Sequence, residues 1–234
     1  MPTTRETLSA NGHDAPVLTS SLRQEILTMP KAIYSASGIV INGRRIKSFV
    51  FTTDIAIIRN CDADAVFAVY PFTPQAAISN AIISASYIPV FCGCGGAITQ
   101  GIRSISLAKD SEAQGAMGIV LNAQISNLNL LAVARAVDIP VIITVVREDD
   151  DITARIRSGA AILNVASGIN TPNIVKKIRD EFPAVPVIAS GGPTDESIRV
   201  TIEAGANAIT YTPPSARRLF SEKMRSYREK AGME

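Results

Sequence analysis

Apolar residues along this chain gather into short runs that recur in a repeated phrase. Ile88-Pro89-Val90-Phe91, Ile139-Pro140-Val141-Ile142 and Val185-Pro186-Val187-Ile188 each open an apolar run. Gly115-Ala116, Gly159-Ala160 and Gly205-Ala206 each end a helical stretch and lead into another such run. The phrase returns about every 46 residues, so each period holds two strand–helix units and the chain holds eight. Strands are predicted at Ser48–Thr53, Ala65–Tyr70, Val90–Cys94, Gly118–Asn122, Val141–Val146, Ala161–Val165, Val187–Ser190 and Ala208–Tyr211. They are apolar nearly throughout rather than alternating, as parallel strands covered on both faces are. Helical patterns separate them, at Ile55–Arg59, Pro74–Ser86, Asn127–Val137, Thr171–Phe182 and Thr194–Ala204. Pro74 and Pro172 fall in first turns, where a missing amide costs nothing. The expected fold class is α/β: a single (β/α)8 barrel, or TIM barrel.

The segment before the first strand has its own signals. Residues 1–20 read as a loose tail. Ser21-Leu22-Arg23-Gln24 is a capping box that predicts a helix over Leu22–Ala36. Ile39-Val40-Ile41 and Arg44-Arg45-Ile46 flank Asn42-Gly43, a hairpin signature. Helix and hairpin precede the first strand, so they are expected to cap the N-terminal end, the barrel bottom. Residues 1–46 then form tail, helix and hairpin, and 47–234 the barrel.

Composition narrows the function classes. The chain has 234 residues, 47% of them apolar, ample for one barrel core. A net charge of +2, from 23 basic and 21 acidic residues, argues against a general role on nucleic acid or membrane surfaces. No apolar run is long enough for a transmembrane helix, and the polar start lacks a signal-peptide core, so a cytoplasmic location is expected. Cys61, Cys92 and Cys94 form neither a disulfide framework nor metal spacing, and His13 is the single histidine. Neither a metal nor a cofactor is expected.

Chemistry in such a barrel sits at the C-terminal ends of the strands. No lysine stands there, so a Schiff-base aldolase has no nucleophile. Asp54, after the first strand, is the candidate general base; the alternative, which residue preference favours, is that it caps the helix Ile55–Arg59. Asn122 and Asn164 share strand parity, so both amides can face the mouth and hold a carbonyl or hydroxyl, or sit as satisfied polar residues inside the barrel. Cys92 and Cys94 share one strand face and have no basic neighbour, which favours buried apolar thiols over nucleophiles. Glu148 and Asp149 are read as starting the following helix.

Gly191-Gly192 could form an amide nest for phosphate, completed by Thr212, Ser215 and Arg217 after the last strand. Arg217 and Arg218 sit in the first turn of the last helix, where a cation is unfavourable unless an anion is near. Pro213 and Pro214 lack amide donors, and Asp195 and Glu196 already supply negative charge to the helix after Gly192. The glycine-rich stretch Gly93–Gly101, with Arg103 beyond it, is a second anion candidate or a flexible lid.

Ile188-Ala189-Ser190-Gly191-Gly192 through Gly205-Ala206-Asn207-Ala208-Ile209 resembles the end of the phosphate-binding β/α barrels of histidine and tryptophan biosynthesis. Those families follow the last strand with Gly-Ser, where this chain has Thr212-Pro213. Phe51-Thr52-Thr53-Asp54-Ile55-Ala56-Ile57-Ile58-Arg59-Asn60, Ala68-Val69-Tyr70-Pro71-Phe72-Thr73-Pro74-Gln75 and Ala208-Ile209-Thr210-Tyr211-Thr212-Pro213-Pro214 resemble a bacterial family of short barrels labelled hydrolases. That resemblance runs nearly the full length and implies hydrolysis, with no catalytic residue to carry over. The expectation is a metal-independent hydrolase, or a related lyase or isomerase, acting on a small, phosphorylated metabolite. The alternative is a non-enzymatic sensor barrel that binds a phosphorylated effector. The expected partner is a small anionic ligand, with self-association left open.

Overall fold

The computed structural model describes Leu18 and residues 26–230. Its ten strands are β1 (Ile39–Ile41), β2 (Arg44–Ile46), β3 (Ser48–Phe51), β4 (Ala65–Ala68), β5 (Val90–Gly93), β6 (Gly118–Leu121), β7 (Val141–Val145), β8 (Ile162–Val165), β9 (Val187–Ser190) and β10 (Ala208–Tyr211). Its eight α-helices are α1 (Ile55–Arg59), α2 (Ala76–Ala85), α3 (Ile102–Ala113), α4 (Asn127–Ala134), α5 (Ile152–Arg157), α6 (Thr171–Glu181), α7 (Asp195–Glu203) and α8 (Ala216–Lys230). Strands β3 to β10 pair in parallel and in sequence order, and β10 closes on β3, making the barrel that the periodicity predicts.

Side-chain parity divides the core in two. Phe49, Phe67, Phe91, Val120, Ile142, Ile162, Ile188 and Ala208 fill the barrel interior. Their neighbours, such as Val50, Val66, Cys92, Ile143, Val165 and Ala189, face the helices. Inside, Phe49 meets Phe67 edge-on at 5.8 Å and Phe91 at 5.0 Å. Gly118 makes room for that cluster, because a Cβ there would stand 2.5 Å from Phe91 Cδ1.

The hairpin closes the bottom. Asn42 and Gly43 both have positive φ, 48° and 78°, the requirement of a tight two-residue turn. Ile39 pairs with Ile46, and Ile39, Ile41 and Ile46 pack with Ala65, Ile162 and Ala208 near the strands' N-terminal ends. Asn207 Nδ2 donates to Ser37 Oγ at 2.9 Å, and Gly38 N to Asn207 O at 2.8 Å.

The helix predicted over Leu22–Ala36 requires correction in its described part; the capping box itself lies outside the described residues, as does His13. Leu27 bridges Cys61 in extended conformation, and Met29 N donates to Asp62 Oδ1 at 2.7 Å. Pro30 removes an amide and biases Met29 away from helix, so only a short 3-10 turn, Lys31–Ser35, forms. The start of α5 also differs. Asp151 accepts from Ala154 N at 2.9 Å and caps that helix, while Asp149 pairs with Arg147 in the loop before it.

Candidate active site

The C-terminal mouth of the barrel holds a cavity of about 430 Å³. Inward positions on successive strands build it: Phe51 on β3, Phe67 and Val69 on and after β4, Gly93 on β5, Val120 and Asn122 on and after β6, Thr144 on β7, and Asn164 on β8. Two loops make the rim. Tyr70 to Pro74 follow β4, and Gln75 N donates to the Tyr70 hydroxyl at 2.8 Å. Gly95 to Thr99 follow β5, where Gly96 N donates to Thr99 O at 2.8 Å and Asn122 N to Gly95 O at 2.9 Å. Glycine is required at position 96: φ is 110°, and a Cβ would stand 2.7 Å from Asn122 N. The second anion candidate is thus an anchored loop pinned to Asn122. Its Ile98 is 97% exposed, and Phe72 across the mouth is 75% exposed.

Asn122 and Asn164 come together in this cavity, as their parity predicts. Asn122 Oδ1 accepts from Gln124 N at 3.2 Å, a local turn that leaves its Nδ2 without a hydrogen bond among the described residues. Asn164 is only 6% exposed. Its Nδ2 donates to Thr144 Oγ1 at 3.5 Å, and its Oδ1 is buried with no partner. Thr144 stands directly beside Asn164 in the β7–β8 register. Buried polar atoms in folded proteins are nearly always bonded, so an orphan on a residue that lines the cavity marks a place that a ligand can complete.

Asp54 performs the capping function. Its Oδ1 accepts from Ala56 N at 2.8 Å and Ile57 N at 3.3 Å, fixing the start of α1, and it does not line the cavity. Cys92 and Cys94 face the helices as buried free thiols. Burial pushes Cys92 up to about 11 and Cys94 up to about 12, so neither is a thiolate nucleophile at neutral pH.

The glycines after β9 have packing explanations. A Cβ on Gly191 would stand 2.7 Å from Ile209 Cγ2 and 2.8 Å from Ile198 Cγ1. Gly192 has φ 76°. Thr194 and Ser197 cap α7 reciprocally, with Asp195 and Glu196 in its first turn. Ser215 Oγ accepts from Arg218 N at 3.3 Å, and Arg218 Nε pairs with the Glu222 carboxylate at 2.9 Å, which gives one of the two arginines a partner within its own helix. Gly191, Gly192, Thr212, Ser215 and Arg217 stand outside the wall of the 430 Å³ cavity.

Sequence reasoning passed over the apolar wall. Phe51, Phe67, Val69, Phe72 and Ile98 form much of it. The signal was present, because Phe51 follows Phe49, and Val69 follows Phe67, at the inward period of two.

Comparison with known proteins bears on the fold alone. No family model and no curated protein matches the chain. Solved structures do. Phosphoenolpyruvate phosphomutase from Streptomyces platensis subsp. rosaceus is similar at TM-score 0.62 and 15% identity, covering 86% of each chain. Phosphonopyruvate hydrolase is similar at TM-score 0.62 and 14% identity, covering 86% of this chain and 85% of its own. 2,3-Dimethylmalate lyase, a PEP mutase/isocitrate lyase superfamily member, is similar at TM-score 0.59 and 14% identity, covering 86% of this chain and 84% of its own. The hydrolase has also been solved with oxalate and Mg++. Such a hard dication is usually anchored by one or two carboxylates. This cavity wall offers only amide, hydroxyl and backbone oxygens, and among the described residues no three His, Cys, Asp or Glu side chains are placed to hold a metal ion. The wall does not fit that ion. No helix among the described residues is long and apolar enough to cross a membrane.

Proposed function

We propose that the mouth cavity binds a small metabolite and that the protein is an enzyme of hydrolase or lyase type acting on it. The orphan Asn164 Oδ1 carries this reading: a 430 Å³ cavity with a buried, unsatisfied acceptor in its wall is built to be completed by a ligand. A phosphate on that metabolite would lie toward the loops after β9 and β10, which close the ring between β8 and β3. The amides of Gly191 and Gly192, with Thr212, Ser215 and Arg217, would be its donors. Asn122 Nδ2 would hold a carbonyl or hydroxyl oxygen. Asp54 would be the base through Oδ2, since the cap uses Oδ1. A sensor without turnover is the second reading, favoured by a cavity wall with no charged side chain.

Thermal melting against a panel of small phosphorylated and carboxylated metabolites tests the site. A compound at 100 times its Kd adds about 2.7 kcal/mol. The shift should disappear in Asn122→Leu or Asn164→Leu, and product analysis then separates enzyme from sensor. A shift that both variants retain removes the mouth from the account.

A further inference from the structure

The inward side chains at the mouth divide the barrel into two halves. Strands β3 to β6 and the loops after β4 and β5 present a mainly apolar surface, Phe51, Phe67, Val69, Val120, Phe72 and Ile98, interrupted by Asn122 and by hydroxyls of the two loops. Strands β7 to β10 present hydroxyls and an amide at their last inward positions: Thr144 and Asn164, which line the cavity, and Ser190 and Thr210, which stand outside its wall. The last two follow the interior residues Ile188 and Ala208 by two. Ser190 and Thr210 are register partners, as are Thr144 and Asn164. The polar half is under-satisfied. Asn164 Oδ1 and Thr210 Oγ1 are both buried with no partner.

We propose that the ligand is amphiphilic: an aromatic or branched aliphatic body against β3–β6, and an uncharged hydroxyl-type group seated at Asn164 and Thr144. The inference rests on the mouth being the binding site. Asn164 offers an acceptor at Oδ1 and one spare Nδ2 hydrogen, and a hydroxyl both donates and accepts. A carboxylate or phosphate seated there would be stripped of water with no cation on the wall to compensate it. An anionic substituent therefore belongs outside the cavity, toward the loops after β9 and β10. A cavity of 430 Å³ lies near the small end of ligand pockets, about 300–1,000 Å³, so the body is one ring or a short branched chain.

The test uses the full chain labelled with 13C at Ile and Val methyls, titrated with 2-phenylethanol, ethylbenzene, phenylacetate and inorganic phosphate. Val69, Val120 and Ile98 report the mouth. The alcohol is expected to move these methyls and to bind about tenfold tighter than ethylbenzene, the size of one good hydrogen bond. Phenylacetate should bind more weakly than the alcohol, and phosphate should leave these methyls unmoved. Asn164→Leu should erase the preference for alcohol over ethylbenzene while keeping the binding of ethylbenzene. Thr144→Val should do the same, and serves alone if the first variant does not fold. Phenylacetate binding as tightly as the alcohol overturns the proposal. So do a preference unchanged in the variants and mouth methyls that none of the four probes moves. If a phosphorylated metabolite then moves the same methyls, the ligand class is wrong and the site stands. If no compound moves them, both readings fall.

Discussion

Asn164→Leu should make the free protein more stable while removing its ability to respond to ligand. An unsatisfied buried acceptor costs about 1–3 kcal/mol. Leucine removes that oxygen and keeps the branched shape, its larger methyls having the cavity to extend into, and only the long 3.5 Å contact to Thr144 is lost with it. That bond is worth less than about 1 kcal/mol at such a length. The net gain is about 1–2 kcal/mol, or about 2–8 °C in Tm for a chain of this size. Urea unfolding and thermal melting of the free protein measure it directly. Asn164→Asp supplies the contrast, because it buries a carboxylate without a cation. Its folded-state pKa should rise above the ordinary 3.9 or so. The group is then protonated and harmless below the unfolded value, and stability is lost as pH rises through the folded value. The aspartate variant should thus match the parent near pH 4 and fall behind it toward neutrality. A leucine variant less stable than the parent by 1 kcal/mol or more would refute the reasoning, since Oδ1 would then be bonded in the free protein.

Further outcomes follow from three places in the structure. Gly96→Ala should cost about 1–3 kcal/mol in urea unfolding, because its backbone is left-handed and its Cβ would press on the Asn122 backbone. An unchanged midpoint would show that the loop yields. Cys92 and Cys94, raised to about 11 and about 12, should resist iodoacetamide at pH 8 until the protein unfolds. Both thiols are protonated in the fold, so stability should be full below about pH 8.5 and decline as pH climbs through 11 to 12, read by melting across that range. Asp54→Ala should lose about 1 kcal/mol of stability as the cap of α1 disappears, and Asp54→Ser should restore most of it. Once a substrate is known, Asp54→Asn with near-normal turnover would remove Asp54 as a base, whose loss costs about 10²–10⁴-fold in rate.

How far the sequence reaches depends on the range of the interaction concerned. The barrel is legible because each strand–helix unit repeats the same local pattern, and Asn42-Gly43 specifies its hairpin within two residues. The placing of Asn122 and Asn164 in one cavity wall follows from parity along two strands. The helix that the capping box predicts over Leu22–Ala36 misleads in its described part because the proline at position 30 breaks it, and Asp62, distant in sequence, takes the Met29 amide. Gly191-Gly192 reads like an anion nest, and a second reason for glycine at the first position comes from Ile198 and Ile209, which leave no room for a side chain. Nothing local announces such a neighbour. The aromatic wall goes unnoticed for the opposite reason: in a sequence where nearly every strand residue is apolar, those facing a cavity look like those facing a core.

The seam between the first and last barrel strands has a consequence for how the chain is made. Ser37 and Asn207 bond across 170 residues, and β3 has no partner on one side until β10 arrives. A chain leaving the ribosome therefore carries an open sheet edge for most of its synthesis. At about 5–20 residues per second that exposure lasts on the order of ten seconds or more. An unpaired edge is a template for another chain. Chaperone demand and expression yield should be governed by the wait for residues 208–211, more than by the strength of the finished core.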